Sequence, residues 1–345
     1  MSFHKLMGQN VVENYPEGTG KFPIAALMVI IIVAAGFTYA LTSGSIPIDF
    51  LNSTITTNTN NDTPIVDRDA EIDIVGDTQM IALVEEHGFP GSGSQMDPYV
   101  IENLSIVSDR TCISIQNVES SFIIRDCELQ VSTLDNWGIC IYLAGCVDAS
   151  VINCRIEGGG SGIELFESHN SFVFGCQISG AFFALNNSGS HDVRIEDNTI
   201  SNATWGISLV GTNLTTVWEN EISYTDYAII SQFSFRCIID SNLLFHNTYG
   251  IKVEGHCENW TIESNEIIYN SEYGIHFDDT VKQMIVYKNR LGWNDVSNAF
   301  DDGQMNLWDY ENGLGNSWHD YSGSGWYYIS GNAESIDHYP MLLES

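Results

Sequence analysis

The sequence predicts an all-β solenoid, a rod of short strands wound into stacked coils, and three observations carry that prediction. The first is a column of asparagines, Asn198, Asn220, Asn242, Asn265 and Asn289, continued upstream by Cys127, Cys154 and Cys176. Successive members lie 27, 22, 22, 22, 22, 23 and 24 residues apart. The second is a frame of aliphatic residues around that column. Three positions before it stand Ile124, Val151, Val173, Ile195, Val217, Ile239, Ile262 and Val286, and two after it Leu129, Ile156, Ile178, Ile200, Ile222, Leu244, Ile267 and Leu291. The third is a glycine followed by strict alternation, in "WGICIYL", "SGIELFE", "WGISLVG", "YGIKVEG" and "YGIHFDD". Apolar residues two apart give a strand with one buried face, and the glycine marks a tight corner before it. A unit of this length cannot bury its inner face alone, so neighbouring coils must stack. At a strand spacing of about 4.8 Å, eight or nine coils make a rod of roughly 40 Å. Asparagines aligned along such a rod can hydrogen-bond to one another as an amide ladder.

The elements follow in chain order. Residues 1–21 form a short tail and 22–41, "FPIAALMVIIIVAAGFTYAL", an uncharged run long enough to cross a bilayer as a helix. Lys5 and Lys21 precede this run and no cation follows until Arg68. That asymmetry puts the tail in the cytoplasm, the anchor in the cell membrane as a single pass, and all later residues in the extracellular space. The competing assignment is a cleaved signal peptide, which calls for a shorter apolar stretch and a small-residue cleavage site. Residues 42–75 are rich in Ser, Thr and Asn and read as a flexible stalk. Sequons at Asn52, Asn61, Asn103, Asn186, Asn202, Asn213 and Asn259 suit an outside location.

Open solenoid ends must be covered. Residues 76–98 are expected to provide an N-terminal capping helix, with Thr78 as its cap and Met80, Ile81, Leu83 and Val84 at helical spacing. Coils are expected over 99–303 and a C-terminal module over 304–345, with Trp293, Trp308, Trp318, Trp326, Tyr310, Tyr321, Tyr327 and Tyr339 forming an aromatic cap or a sugar-stacking surface. Of the eight cysteines, Cys127, Cys154 and Cys176 occupy the ladder column, Cys112 the corner column and Cys237 an inward column. Cys140 is expected to point outward and Cys146 and Cys257 to lie in turns, so a reactive or bridging thiol is sought among these three.

Charge narrows the partners. Lys plus Arg number 12 against 45 Asp plus Glu, a net of −33, which argues against nucleic acid or anionic lipid as ligand and leaves oxygen donors for a hard cation such as calcium. The outward residues of the alternating strands set up two columns, one running Ser114, Cys140, Glu164, Ala184, Ser208, Ile230, Lys252, His276, the other Gln116, Tyr142, Phe166, Asn186, Val210, Gln232, Glu254, Asp278. At their end Glu254, Asp278, His276 and Lys252 become neighbours, a candidate acid/base pair, or, with Asp279, a cation site through Glu254 and Asp278. Tyr142, Glu164 and Phe166 form a candidate carbohydrate-binding patch.

These coils resemble the right-handed parallel β-helix repeat family, which includes pectate lyases, polygalacturonases, phage tailspikes and the NosD accessory protein of nitrous oxide reductase. "HGFPGSGSQMDPYVIENLSI" and "NAFDDGQMNLWDYENGLGNSWHDYSG" with "SIDHYPML" are similar to segments of archaeal NosD-like cell-surface proteins. The resemblance implies a right-handed parallel β-helix and a role either on surface polymers or in metal handling. Of the polygalacturonase-like motifs only Asp278-Asp279 and Asp301-Asp302 have counterparts, and no arginine stands between 237 and 289 where a pectate lyase would need its base. For copper, His246, His256, Cys257 and His276 fall in neighbouring coils without a ligand spacing. The leading expectation is a membrane-anchored extracellular protein that binds carbohydrate or another surface polymer. Alternatives are a polysaccharide hydrolase or lyase and a copper-handling accessory protein.

Overall fold

In a computed structural model of the chain, residues 68–132, 137–311 and 313–343 are described. The expected anchor at 22–41, the tail, most of the stalk and the sequons at Asn52 and Asn61 lie outside them. Among the described residues no helix is long and apolar enough to cross a membrane.

Three parallel sheets wrap around one core as a right-handed β-helix. The first has ten strands, from Ile72–Val75 through Ile113–Gln116 to Ser297–Asp301; the second has nine, from Tyr99–Glu102 to Ile285–Tyr287. The third has eleven and runs on through Ser317–Trp318 and Met341–Leu342. The rod therefore has more coils than the eight or nine expected, because both flanking segments contribute strands. Ile72–Val75, placed in the stalk from its composition, pairs in register with Ile113–Gln116. The capping helix, α1, spans Asp77–His87. Thr78 does not cap it: the N-cap is Gly76 and makes no side-chain bond, while Asp77 turns away to accept the amides of Glu119 and Ser120 at 3.2 and 2.8 Å. Met80 and Val84 are buried, whereas Ile81 stays exposed.

The aliphatic columns are the core. Ile195, Val217, Ile239, Ile262 and Val286 stack in register, as do Ile178, Ile200, Ile222, Leu244, Ile267 and Leu291, all essentially closed to solvent. The asparagine ladder runs beside them. Asn220 Oδ1 accepts both the backbone N–H and the side-chain amide of Asn198, at 3.0 and 2.9 Å. The pattern repeats through Asn242, Asn265, Asn289 and Asn316 and ends on the buried carboxylate of Asp337, 2.8 Å from the Asn316 N–H. A second ladder, Asn247, Asn270, Asn294 and Asn298, lines another corner. Each amide meets its donors and acceptors inside the core, where an orphan would be destabilising.

The corner glycines have a different cause from the one expected. A Cβ on Gly206 would stand 2.5 Å from the carbonyl oxygen of Ala228, and one on Gly250 2.5 Å from that of Gly274. Close approach between coils demands small residues in this column. Cys112, Cys140, Gly162, Ala184, Gly206, Ala228, Gly250 and Gly274 share it.

That register corrects the outward columns. Gly138 imitates the corner glycine but sits two residues too early, so Cys140 faces the core and Tyr142 pairs with Ser114 and Glu164. Likewise Ala184 is a corner residue, and Asn186 stands beside Glu164 and Ser208. All eight cysteines are free and buried, including Cys140, Cys146 and Cys257. Burial pushes the thiols of Cys146 and Cys237 up to about 11 and that of Cys257 up to about 12, which suppresses the nucleophilic thiolate. Iodoacetamide at pH 8 should therefore label no thiol in the native protein and all eight in denaturant, as read by intact mass; prompt native labelling of Cys140 would contradict the inward register.

Candidate functional site

The outer face of the first sheet is where chemistry-bearing side chains collect. Corner packing sets every strand of this sheet in register, so one column holds Tyr142, Glu164, Asn186, Ser208, Ile230, Lys252, His276 and Phe300. Next to it runs an aromatic column, Phe183, Trp205, Tyr227, Tyr249 and Tyr273, one ring per coil. Successive ring centroids are 4.9, 5.9, 5.1 and 5.6 Å apart.

The structure brings Lys252, Glu254, His276 and Asp278 together, with each already engaged. Lys252 Nζ lies 3.1 Å from Glu254 Oε2 and 5.2 and 5.4 Å from the Tyr227 and Tyr249 ring centres, a cation held over two aromatic faces. Glu254 also accepts the Gln232 side-chain amide at 2.6 Å. Asp278 builds the corner: Oδ1 accepts the Thr280 backbone and hydroxyl, and Oδ2 the Gly255 N–H at 3.1 Å. Both carboxylates thus carry bonds that shape the coil.

His276 is different. Its ring stacks on Phe300 at 5.0 Å and meets Tyr249 and Tyr273 edgewise, while Nδ1 is buried with no partner. Burial, then the Lys252 charge, holds its pKa below the ordinary 6.5. Because the folded state resists the proton that the unfolded chain accepts, acidification below 6.5 should lower stability. An NMR titration of His276 should give a midpoint under 6.5, and one above it would contradict this account of the site.

A cleft of about 290 Å³ opens beside His276, lined by Asp278, Asp279, Asp302 and Asn332. The C-terminal module supplies its far wall. Asn332 donates its backbone N–H and side-chain amide to Asp302 Oδ1 at 2.7 and 2.9 Å. Gly331 makes this crossing possible, with φ +118° and a Cβ position only 2.2 Å from the Asp301 carbonyl oxygen. Sequence reasoning missed Asn332 and used Asp302 only as half of an Asp-Asp pair; a glycine-asparagine step opposite that pair was the available signal.

Tyr142, Glu164 and Phe166 do converge, but with side chains nearly closed to solvent, at 9%, 3% and 8% exposure. Ser161 Oγ donates to Glu164 at 3.0 Å, and burial still pushes this carboxyl up to about 7. Burial, then Glu164, raises the Tyr142 hydroxyl to about 12. The copper candidates are not brought together. His246 stacks between Tyr224 and Tyr269 at the corner after the third sheet, the His256 amide bonds Thr280 after the first, and the Cys257 thiol turns inward to the Glu254 carbonyl. Among the described residues no three His, Cys, Asp or Glu side chains converge on a point where a metal ion would sit, so those residues do not fit a preformed copper site.

Among solved structures the chain is similar to the A-module of mannuronan C-5 epimerase AlgE6 of Azotobacter vinelandii, at 15% identity over 68% of this chain and 69% of that one, with a TM-score of 0.49. It is also similar to the periplasmic alginate epimerase AlgG, at 12% identity over 79% and 84%, TM-score 0.49. A third similar structure is the endo-xylogalacturonan hydrolase of Aspergillus tubingensis, at 10% identity over 66% and 74%, TM-score 0.47. No curated protein matches the sequence. The family described as periplasmic copper-binding protein (NosD) matches residues 118–323. With more than half of its length so matched, the chain belongs to the NosD family.

Proposed function

We propose that this chain is a surface binding protein, carried outside the membrane by its N-terminal anchor, whose first-sheet face holds a carbohydrate chain laid along the solenoid axis. The observation that supports this most directly is the aromatic column Trp205, Tyr227, Tyr249 and Tyr273, one half-buried ring per coil, beside the partly exposed Lys252 and His276. Aromatic rings supply apolar area to the flat faces of sugars and the flanking polar groups bond hydroxyls. The cleft at His276, Asp278, Asp279, Asp302 and Asn332 would take the chain's end.

The test is retention of the purified chain on a panel of neutral and acidic polysaccharides, with and without calcium, together with an assay for released product. The expected result is retention without turnover. Turnover abolished by Glu254→Gln or Asp278→Asn would establish the hydrolase or lyase reading in its place, and retention on nothing would end the carbohydrate reading.

A further inference from the structure

A second aromatic array lies on a different edge, at the turn that leaves the third sheet. Tyr224, His246, Tyr269 and Trp293 occupy equivalent positions in successive coils, and His319 continues the line. Their ring centroids are 5.7, 5.7, 5.2 and 5.3 Å apart, the first three pairs stacked. Tyr224 and Tyr269 remain 52% and 47% exposed. The backbone is left-handed throughout, with φ of 55°, 56°, 56° and 54° for the first four. Earlier coils fill this position with Gly158, Gly180 and Asn202 at φ 74°, 70° and 53°, the residues that geometry favours. Left-handed backbone recurs at other corners of the solenoid, at Leu214, Phe233, Arg236 and Lys288 among them, so what marks this edge is the unbroken run of stacked rings, with Tyr224 and Tyr269 about half exposed. Directly beneath, the buried Asn247, Asn270 and Asn294 ladder holds the turns in register.

We infer that this ridge is a second polysaccharide-binding site, selective for uncharged or amino-sugar chains running along the axis. The inference rests on the carbohydrate reading and extends it to another surface. One ring rim per coil, at a rise of about 4.8 Å, matches one sugar unit of an extended chain per coil. Charge decides the ligand class: with a net of −33 and Asp226, Glu272 and Asp295 in the same turns, a uronate or sulfated chain would be repelled.

The experiment is retention on insoluble chitin, cellulose and cross-linked polygalacturonate, comparing the purified chain with the double variant Tyr269→Asn and Trp293→Asn and, separately, with Tyr249→Ala on the first-sheet face. Because asparagine suits the left-handed backbone, the double variant should keep or raise its thermal midpoint while losing at least tenfold in retention on chitin or cellulose. Unchanged retention in the double variant, with loss in Tyr249→Ala, would overturn the ridge and leave the first-face proposal standing. A thermal midpoint lowered by several degrees would show the stack to be structural. Retention on polygalacturonate alone would overturn the ligand class, and retention on none of the three would overturn both readings.

Discussion

Asn265→Ala should destabilise the protein by about 4 kcal/mol or more, measured as a loss in urea midpoint with an unchanged slope, since each buried polar group stripped of its partner costs about 1–3 kcal/mol. Asn265 Oδ1 accepts the Asn242 backbone and side chain, both at 2.9 Å. Its amide donates to the carbonyls of Ile239 and Glu263 at 2.8 and 2.9 Å and to Asn289 Oδ1 at 2.9 Å. Alanine removes all of these at a fully buried site and severs the ladder at its middle, whereas Glu266→Ala on the outer face of the neighbouring strand should change stability by less than about 0.5 kcal/mol. Equal effects from the two substitutions would mean that the ladder contributes nothing.

Asp301→Asn should be as damaging, by about 3 kcal/mol or more, because an amide there leaves two buried donors without an acceptor and each costs about 1–3 kcal/mol. The carboxylate is 1% exposed and faces donors only. Oδ1 accepts the Gly303 N–H and the Asn306 amide, both at 2.8 Å, and Oδ2 accepts the Trp308 indole and the Ser335 hydroxyl, at 2.8 and 2.7 Å. An amide of the same shape must turn its own NH2 toward two of those donors. Since these bonds tie the C-terminal module to the last strand of the first sheet, the variant should also loosen the wall carrying Asn332. Proteolysis near residues 320–335 should speed up before the coils themselves unfold. Wild-type resistance in that segment would show that Asp301 is not its anchor.

The coil architecture was legible because stacking repeats one physical problem at every level: an inward aliphatic pair, an amide or thiol at the ladder, a small residue at the corner. What misled was a local coincidence. Gly138 precedes "ICIYL" just as Gly162 precedes "IELFE", yet the strand register pairs Ile141 with Ile163, so glycine spacing alone displaced Cys140 and Tyr142 by two positions. The ladder's continuation to Asn316 and Asp337 was hidden because the aliphatic frame stops there: Gly313 stands three positions before Asn316 and Trp318 two after it. Of the site, the grouping of Lys252, Glu254, His276 and Asp278 followed from periodicity. The pairing of Glu254 with Gln232, and the wall built by Asn332, depend on side-chain directions and on a chain crossing that no period encodes.

The most direct test of the central claim is the dissociation constant of the wild-type chain and of Tyr249→Ala for the polysaccharide that the wild type retains best. Tyr249 sits mid-column, flanked by Tyr227 and Tyr273, where losing one stacking ring should weaken binding at least tenfold, or about 1.4 kcal/mol. A tenfold or greater rise, in a variant still folded at the assay temperature, is the predicted result. The same constant in both proteins would contradict the assignment of the first-sheet face as the ligand surface.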